Sequence, residues 1–155
     1  MTRNPPADPS NDGRHDFIVT GWACDQCGRH FARSHQSHEC SPAMTLEEYF
    51  ATGPSHERPV FDAVHQFVVT LGPIHVEPVS VGIFIKKQGT FIELRPMSRW
   101  VALSFSLPRQ IDSAKIARKP IDTGNRVFHV VNLRTPADFD DEVKAWVAES
   151  YAFVD

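Results

Sequence analysis

A chain of 155 residues with 41% hydrophobic content, eleven Phe and three Trp has enough apolar side chain for one ordinary core plus a small appendage. No apolar run approaches the roughly 18 residues of a membrane span, and a formal charge of −3 argues against a protein that grips nucleic acid through charge alone. The charge is uneven: residues 81–120 carry eight basic side chains against Glu93 and Asp112, net +6, which leaves −9 for the rest, so an anionic small molecule or nucleic acid is the expected partner of that segment.

Residues 1–16, rich in Pro, Asp, Ser, Asn and Gly, read as a disordered tail, and Phe17-Ile18-Val19 as a short strand leading into a zinc knuckle over 17–43. All three cysteines of the chain lie between Trp22 and Cys40. Cys24-x-x-Cys27 lets two thiolates turn toward one ion, and Gly28 supplies the permissive backbone that a tight knuckle needs. His38 and Cys40 are two residues apart, so on extended backbone they point to the same side. The expected ligand set is Cys24, Cys27, His38 and Cys40 around a structural Zn2+, with Phe31 as its apolar cover; His35, and less so His30, are rivals for the fourth place. A redox reading of Cys24 and Cys27 would need a βαβ setting and leaves His38 and Cys40 unexplained. A DNA-reading finger would need a helix that the residues after Gly28, with Ser34 and Ser37, leave little room for. Reduced cysteines and the absence of a leader pattern suggest a cytoplasmic protein.

Residues 44–155 read as an α+β domain: a small antiparallel or mixed β-sheet with flanking helices. Thr45 with Glu48 three residues on is a capping box that opens a short helix. Ser55 is expected to cap a second helix whose apolar face is Val60, Phe61, Val64, Phe67, Val68 and Leu71, with His65 on its polar side. From Ile74 the period changes to two. Val79, Val81, Ile83 and Ile85 alternate with Ser80, Gly82, Phe84 and Lys86 up to a turn at 87–90, and a return strand covers 91–95. A third strand over 100–107 has Val101, Leu103, Phe105 and Leu107 on one face and the small side chains Ala102, Ser104 and Ser106 on the other. A basic connection follows, with a little helix expected near 113–117, then a strand over 126–133. The closing helix is capped by Thr135, with Pro136 at its first position and Asp138, Asp140 and Asp141 at its positive end.

The segments CDQCGRHFAR…QSHEC, MTLEEYF, HERPVFDAV and PVSVGIFIKKQGTFIELRPMSRWVALSFSLP, in this order, resemble the bacterial family of unknown function catalogued as DUF5655. The resemblance spans most of 22–152. It implies a small α+β domain with an N-terminal metal knuckle and little about activity, and it favours His38 and Cys40 over His35 as ligands.

Sharper readings fall short of their motifs. His75-x-Glu77 follows the cysteines, whereas in zinc deaminases the His-x-Glu precedes them. Glu93-Leu94-Arg95 lacks the partner Asp and the Lys of a nuclease half-site. The favoured function is a non-catalytic binding or interaction module for an anionic ligand, nucleic acid or protein. Its expected ligand contacts are Glu93, Arg95, Arg99, Trp100 and Ser104, with two guanidiniums and an aromatic ring near a small-residue surface. The alternative is an enzyme on the same face, with Glu93 as base and Arg95 or Arg99 as anion clamp.

Overall fold

The computed structural model describes residues 21–38, 40 and 42–154; the expected tail over 1–16 and the strand at 17–19 lie outside them. A two-stranded ribbon, β1 (Trp22–Ala23) and β2 (His30–Phe31), precedes helices α1 (Leu46–Phe50) and α2 (Glu57–Val68). The strands β3 (His75–Val79), β4 (Gly82–Lys86), β5 (Thr90–Pro96), β6 (Val101–Leu107), β7 (Ile121–Asp122) and β8 (Val127–Leu133) follow, and helix α3 (Asp141–Phe153) closes the chain. All six of these strands form one antiparallel sheet in the order β3-β4-β5-β6-β8-β7.

Alternation and register fix the two faces of this sheet. Ile83, Leu94, Leu103 and Val131 lie in one cross-strand row, and Ile85, Ile92, Phe105 and His129 in the next. These rows are buried and belong with Val60, Phe61, Val64, Val143, Trp146 and Val147 of α2 and α3 in one core. The opposite face carries the row Glu77, Phe84, Glu93, Ser104 and Val130. The helices therefore cover one face, and the functional question concerns the other.

The α1 capping box forms as the sequence predicts, Thr45 Oγ1 accepting from Glu48 N at 3.0 Å and Glu48 Oε1 from Thr45 N at 2.9 Å. Elsewhere the structure redraws local boundaries. Ser55 does not cap α2: the residue before the helix is His56, already in helical conformation at φ −75° and ψ −14° with no side-chain cap bond, and a cap needs extended backbone. The alternating run through Val79 and Val81 is a hairpin, with Val79 paired to Gly82 across Ser80-Val81 and Val81 exposed. A Cβ on Gly82 would sit 2.6 Å from the Leu94 carbonyl oxygen, so only glycine lets β4 approach β5 there. No helix forms at 113–117; Ile116 bridges to Val131 and Ala117 N donates to the Val130 carbonyl at 2.7 Å. One isolated helical turn cannot repay its nucleation cost, whereas the free side of β8 offers partners at once. The closing helix is split: Thr135 and Asp138 cap a 3-10 turn over Pro136–Asp138, and Asp140 caps α3 by accepting from Val143 N at 3.1 Å.

Near the α1–α2 junction, Tyr49 donates its hydroxyl to Glu57 Oε2, and both side chains are buried. Burial pushes the Glu57 carboxyl above its ordinary value of 4.5, and Tyr49 and His56 offset this only in part. With a folded value above the unfolded one, stability is present in full below the ordinary value and falls as pH rises through the folded value. Urea unfolding at stepped pH is expected to show this fall in the wild type and to lose it in Glu57→Gln; parallel profiles would remove Glu57 as its source.

Candidate metal centre

Cys24 and Cys27 bracket a tight turn held by Gly28 N to the Cys24 carbonyl at 2.7 Å and Cys24 N to the Arg29 carbonyl at 2.9 Å. Gly28 sits at φ +75°, the left-handed conformation that glycine adopts without strain. The chain then passes through β2 and a loop that returns His38 and Cys40 to the turn. The three Sγ atoms and the His38 ring nitrogen all lie within 4.8 Å of one another. Individual edges are 3.8 Å for Cys24 to Cys40, and 3.4 Å for His38 Nε2 to both Cys27 and Cys40. A tetrahedron with metal–sulfur bonds of about 2.3 Å and a metal–nitrogen bond of about 2.0 Å has edges of about 3.8 and 3.5 Å. These four residues can hold one metal ion.

The surroundings fit the same role. The His38 Nδ1 lies 2.6 Å from the Gln36 carbonyl, so it donates there and leaves Nε2 free to ligate. The Phe31 ring lies 4.1 Å from that of His38 and the Trp22 ring 6.0 Å from it, giving the apolar cover expected of Phe31 and adding Trp22 to it. His35 is not in the cluster: at φ 55° it lies over Trp22 with its Nδ1 3.0 Å from Ser34 Oγ. His30 is held in β2, its amide donating to Glu77 at 3.1 Å. The thiols do not ionise alike. Burial raises Cys24, but backbone amides of Cys27 and Gln26 and the side chain of His38 outweigh it and bring the thiol down to about 7. Cys40 rises to about 11, through desolvation and then the neighbouring Cys24 and Cys27. Once one thiolate forms, the next is opposed, and a cation at the centre removes that opposition.

The largest surprise lies beneath the knuckle. Glu77 on β3, only 1% exposed, receives Arg29 Nε and Lys86 Nζ, each at 2.8 Å, and His75 Nε2 at 3.4 Å. Arg29 and Lys86 are themselves buried. Burial pushes the Glu77 carboxyl up, yet His75, Lys86 and Arg29 prevail and hold it well below the usual carboxylate range. Arg29 also lies over Phe84 and Phe31, and Lys86 lies over Phe31 while donating to the His30 carbonyl at 2.5 Å. The knuckle is thus clamped to the uncovered face of the sheet by a buried carboxylate between two cations. Glu77 lies outside the four-residue cluster, its carboxylate engaged by Arg29 and Lys86.

Beside this clamp runs a cleft of about 960 Å³, whose lining includes Arg33 and Gln36 from the knuckle loop, Phe84, Glu93 and Ser104 from the sheet, and Arg126 before β8. Of the residues the sequence suggests for ligand contact, Glu93 and Ser104 are cross-strand partners in it. Arg95 pairs with Glu93 at 2.9 Å along the same strand but is not part of the lining. Arg99 is exposed in the β5–β6 turn. Trp100 lies under the Arg134 guanidinium, 5.1 Å from its ring centre, and its carbonyl accepts from Met97 N. The structure does not bring two guanidiniums and Trp100 together over the small-residue surface.

The family model of a domain of unknown function, DUF5655, matches residues 46–154, all of the α+β portion and none of the knuckle. Comparison with curated proteins and with solved structures gives no match. Among the described residues no helix is long and apolar enough to cross a membrane.

Proposed function

We propose that this chain, which belongs to the DUF5655 family over residues 46–154, is a non-catalytic binding module for an anionic ligand, in which a structural Zn2+ fixes the knuckle against the sheet. The observation that carries the reading is the closed four-ligand tetrahedron: three thiolates and an imidazole suit zinc, and with four protein ligands no position is left for a reacting water. Charge balance supports it independently. Three thiolates and a divalent ion sum to −1 by formal charge, while the buried group of Arg29, Lys86 and Glu77 sums to +1. Burial pushes the Lys86 ammonium below its ordinary value, and Glu77 foremost, with a smaller contribution from the Cys27 thiolate, works against that shift, so the metal complex and the clamp offset each other's charge across their boundary.

In this reading residues 44–155 form the folding unit and 17–43 a docked knuckle, in a bacterial, cytoplasmic protein. The basic stretch 81–120 contributes little to one anion site as a block, since Arg109 is bound to Glu149 and Lys115 to Asp140 and Glu142. Glu93, expected as the base of an enzymatic alternative, instead accepts from Arg95 Nη2 at its Oε2. Metal analysis of protein purified without chelator is expected to return one zinc per chain; no zinc, or a loosely held ion that exchanges within minutes against a weak chelator, would overturn the structural assignment.

A further inference from the structure

The cleft beside the clamp combines two guanidiniums with an exposed aromatic ring. Arg126 stands between two aromatic rings, its guanidinium carbon 5.9 Å from the centre of Phe128 and 5.7 Å from that of Phe153. Among the described residues no carboxylate pairs with Arg126 or Arg33, and both line the cleft. Phe128 is one of the few large apolar side chains left exposed, at 39%, and it too lines the cleft. The Thr123–Arg126 turn is pinned by Thr123 Oγ1 to the Arg126 carbonyl at 3.1 Å and by Gly124 N to Asp122 Oδ1 at 2.8 Å, so Arg126 is presented from a preset backbone. Glu93 and Ser104 also line the cleft; the carboxylate accepts, with Oε2 already taking Arg95, and the hydroxyl can donate or accept.

From this juxtaposition we infer that the cleft binds a free mononucleotide, its phosphate on Arg126 and Arg33 and its base against Phe128. An unpaired guanidinium presents a planar fork of donors to two phosphate oxygens, an exposed ring offers a stacking face, and Glu93 and Ser104 suit the amino and keto edge of a base. The volume of about 960 Å³ lies at the upper end of small-molecule sites, roughly 300–1,000 Å³, and takes a nucleotide with water to spare. Arg33 is delivered by the knuckle loop, so the site is complete only with the knuckle docked. The inference rests on the binding-module reading and names its ligand class and residues.

Calorimetric titration of the zinc-loaded full chain with the four nucleoside 5′-monophosphates, the matching nucleosides and inorganic phosphate tests it. At least one monophosphate is expected to bind at least about tenfold more tightly than its nucleoside or phosphate alone, since charge and stacking both contribute. Arg126→Gln and Phe128→Ala are each expected to weaken it about tenfold, Arg126→Lys to recover only part of the loss because the fork is gone, and Arg99→Ala, in the exposed β5–β6 turn outside the lining, to leave it unchanged. Melting curves and zinc content are read on the same samples. Intact, zinc-loaded protein that binds none of the monophosphates, or only a short single-stranded oligonucleotide, overturns the nucleotide site and leaves the structural zinc standing. Equal affinity in Arg126→Gln and Phe128→Ala, or a loss in Arg99→Ala as large as theirs, overturns it by placing the ligand elsewhere. Absence of zinc with intact nucleotide binding strikes the zinc assignment and spares the site.

Discussion

Cys27→Ser is expected to release the metal and unfold the knuckle while the six-stranded sheet and its helices still melt cooperatively. Among the described residues the knuckle's own apolar cluster is Trp22, Cys24, Cys27 and Phe31, far too little to order some twenty residues against their chain entropy. Metal binding supplies about 10–16 kcal/mol of apparent folding free energy in small zinc peptides, so losing one thiolate removes the main term that holds this segment. Limited proteolysis is expected to cut the variant between residues 21 and 40 at a rate unrelated to global unfolding, and Trp22 emission to shift to the red. A variant that keeps its zinc and resists cleavage there would remove Cys27 from the ligand set.

Glu77→Ala is expected to cost about 3–5 kcal/mol in chemical denaturation, the range for removing one partner of a buried ion pair, because Arg29 and Lys86 then remain buried with no counter-charge. Adding Lys86→Met is expected to recover part of that loss, since two apolar side chains at such a place are often no worse than the pair they replace. Glu77's folded value lies below its unfolded value, so its contribution is present above the ordinary carboxylate range and lost as pH falls through the folded value. A cost near the 1 kcal/mol or less typical of exposed pairs would mean that water reaches the clamp.

Local signals in the sequence carried the ligand set and most of the strands. Cys24, Cys27, His38 and Cys40 are readable because metal geometry translates directly into short spacings. Val101 to Leu107 is readable because strand period is a local property, and its opposite row of Ala102, Ser104 and Ser106 does line the face away from α3. The hairpin at Ser80-Val81 is masked for a physical reason: apolar alternation runs through it unbroken, and Ser80 beside a β-branched Val81 is only a weak turn signal. His129 was passed over although it falls on the core side by alternation, stacking on Phe105 at 5.3 Å with burial pushing its pKa down. The clamp and the cleft could not be read at all, because Arg29 and Glu77 are 48 residues apart and the cleft draws on the knuckle loop, four strands and the chain's C-terminal turn. Nothing periodic links such segments; only the docking of the knuckle does. For Glu77 the one local hint was a carboxylate set in the run Val76-Glu77-Pro78-Val79, where a solvated side chain would be out of place.

The two outer strands have a consequence for how copies of this chain meet one another. β3 carries Pro78, which has no amide to offer, and the Pro78 carbonyl already accepts from Met44 N at 2.8 Å, so the stretch before α1 occupies part of that border. At the other border β7 is two residues long, and the backbone on that side of β8 bonds to the irregular stretch around Ile116 and Ala117. A neighbouring chain therefore meets no continuous ladder of free amides and carbonyls on which to add a strand. Crowding at high concentration is then resisted by sheet termination itself, without the lysine-studded borders that other sheets use against fibre growth.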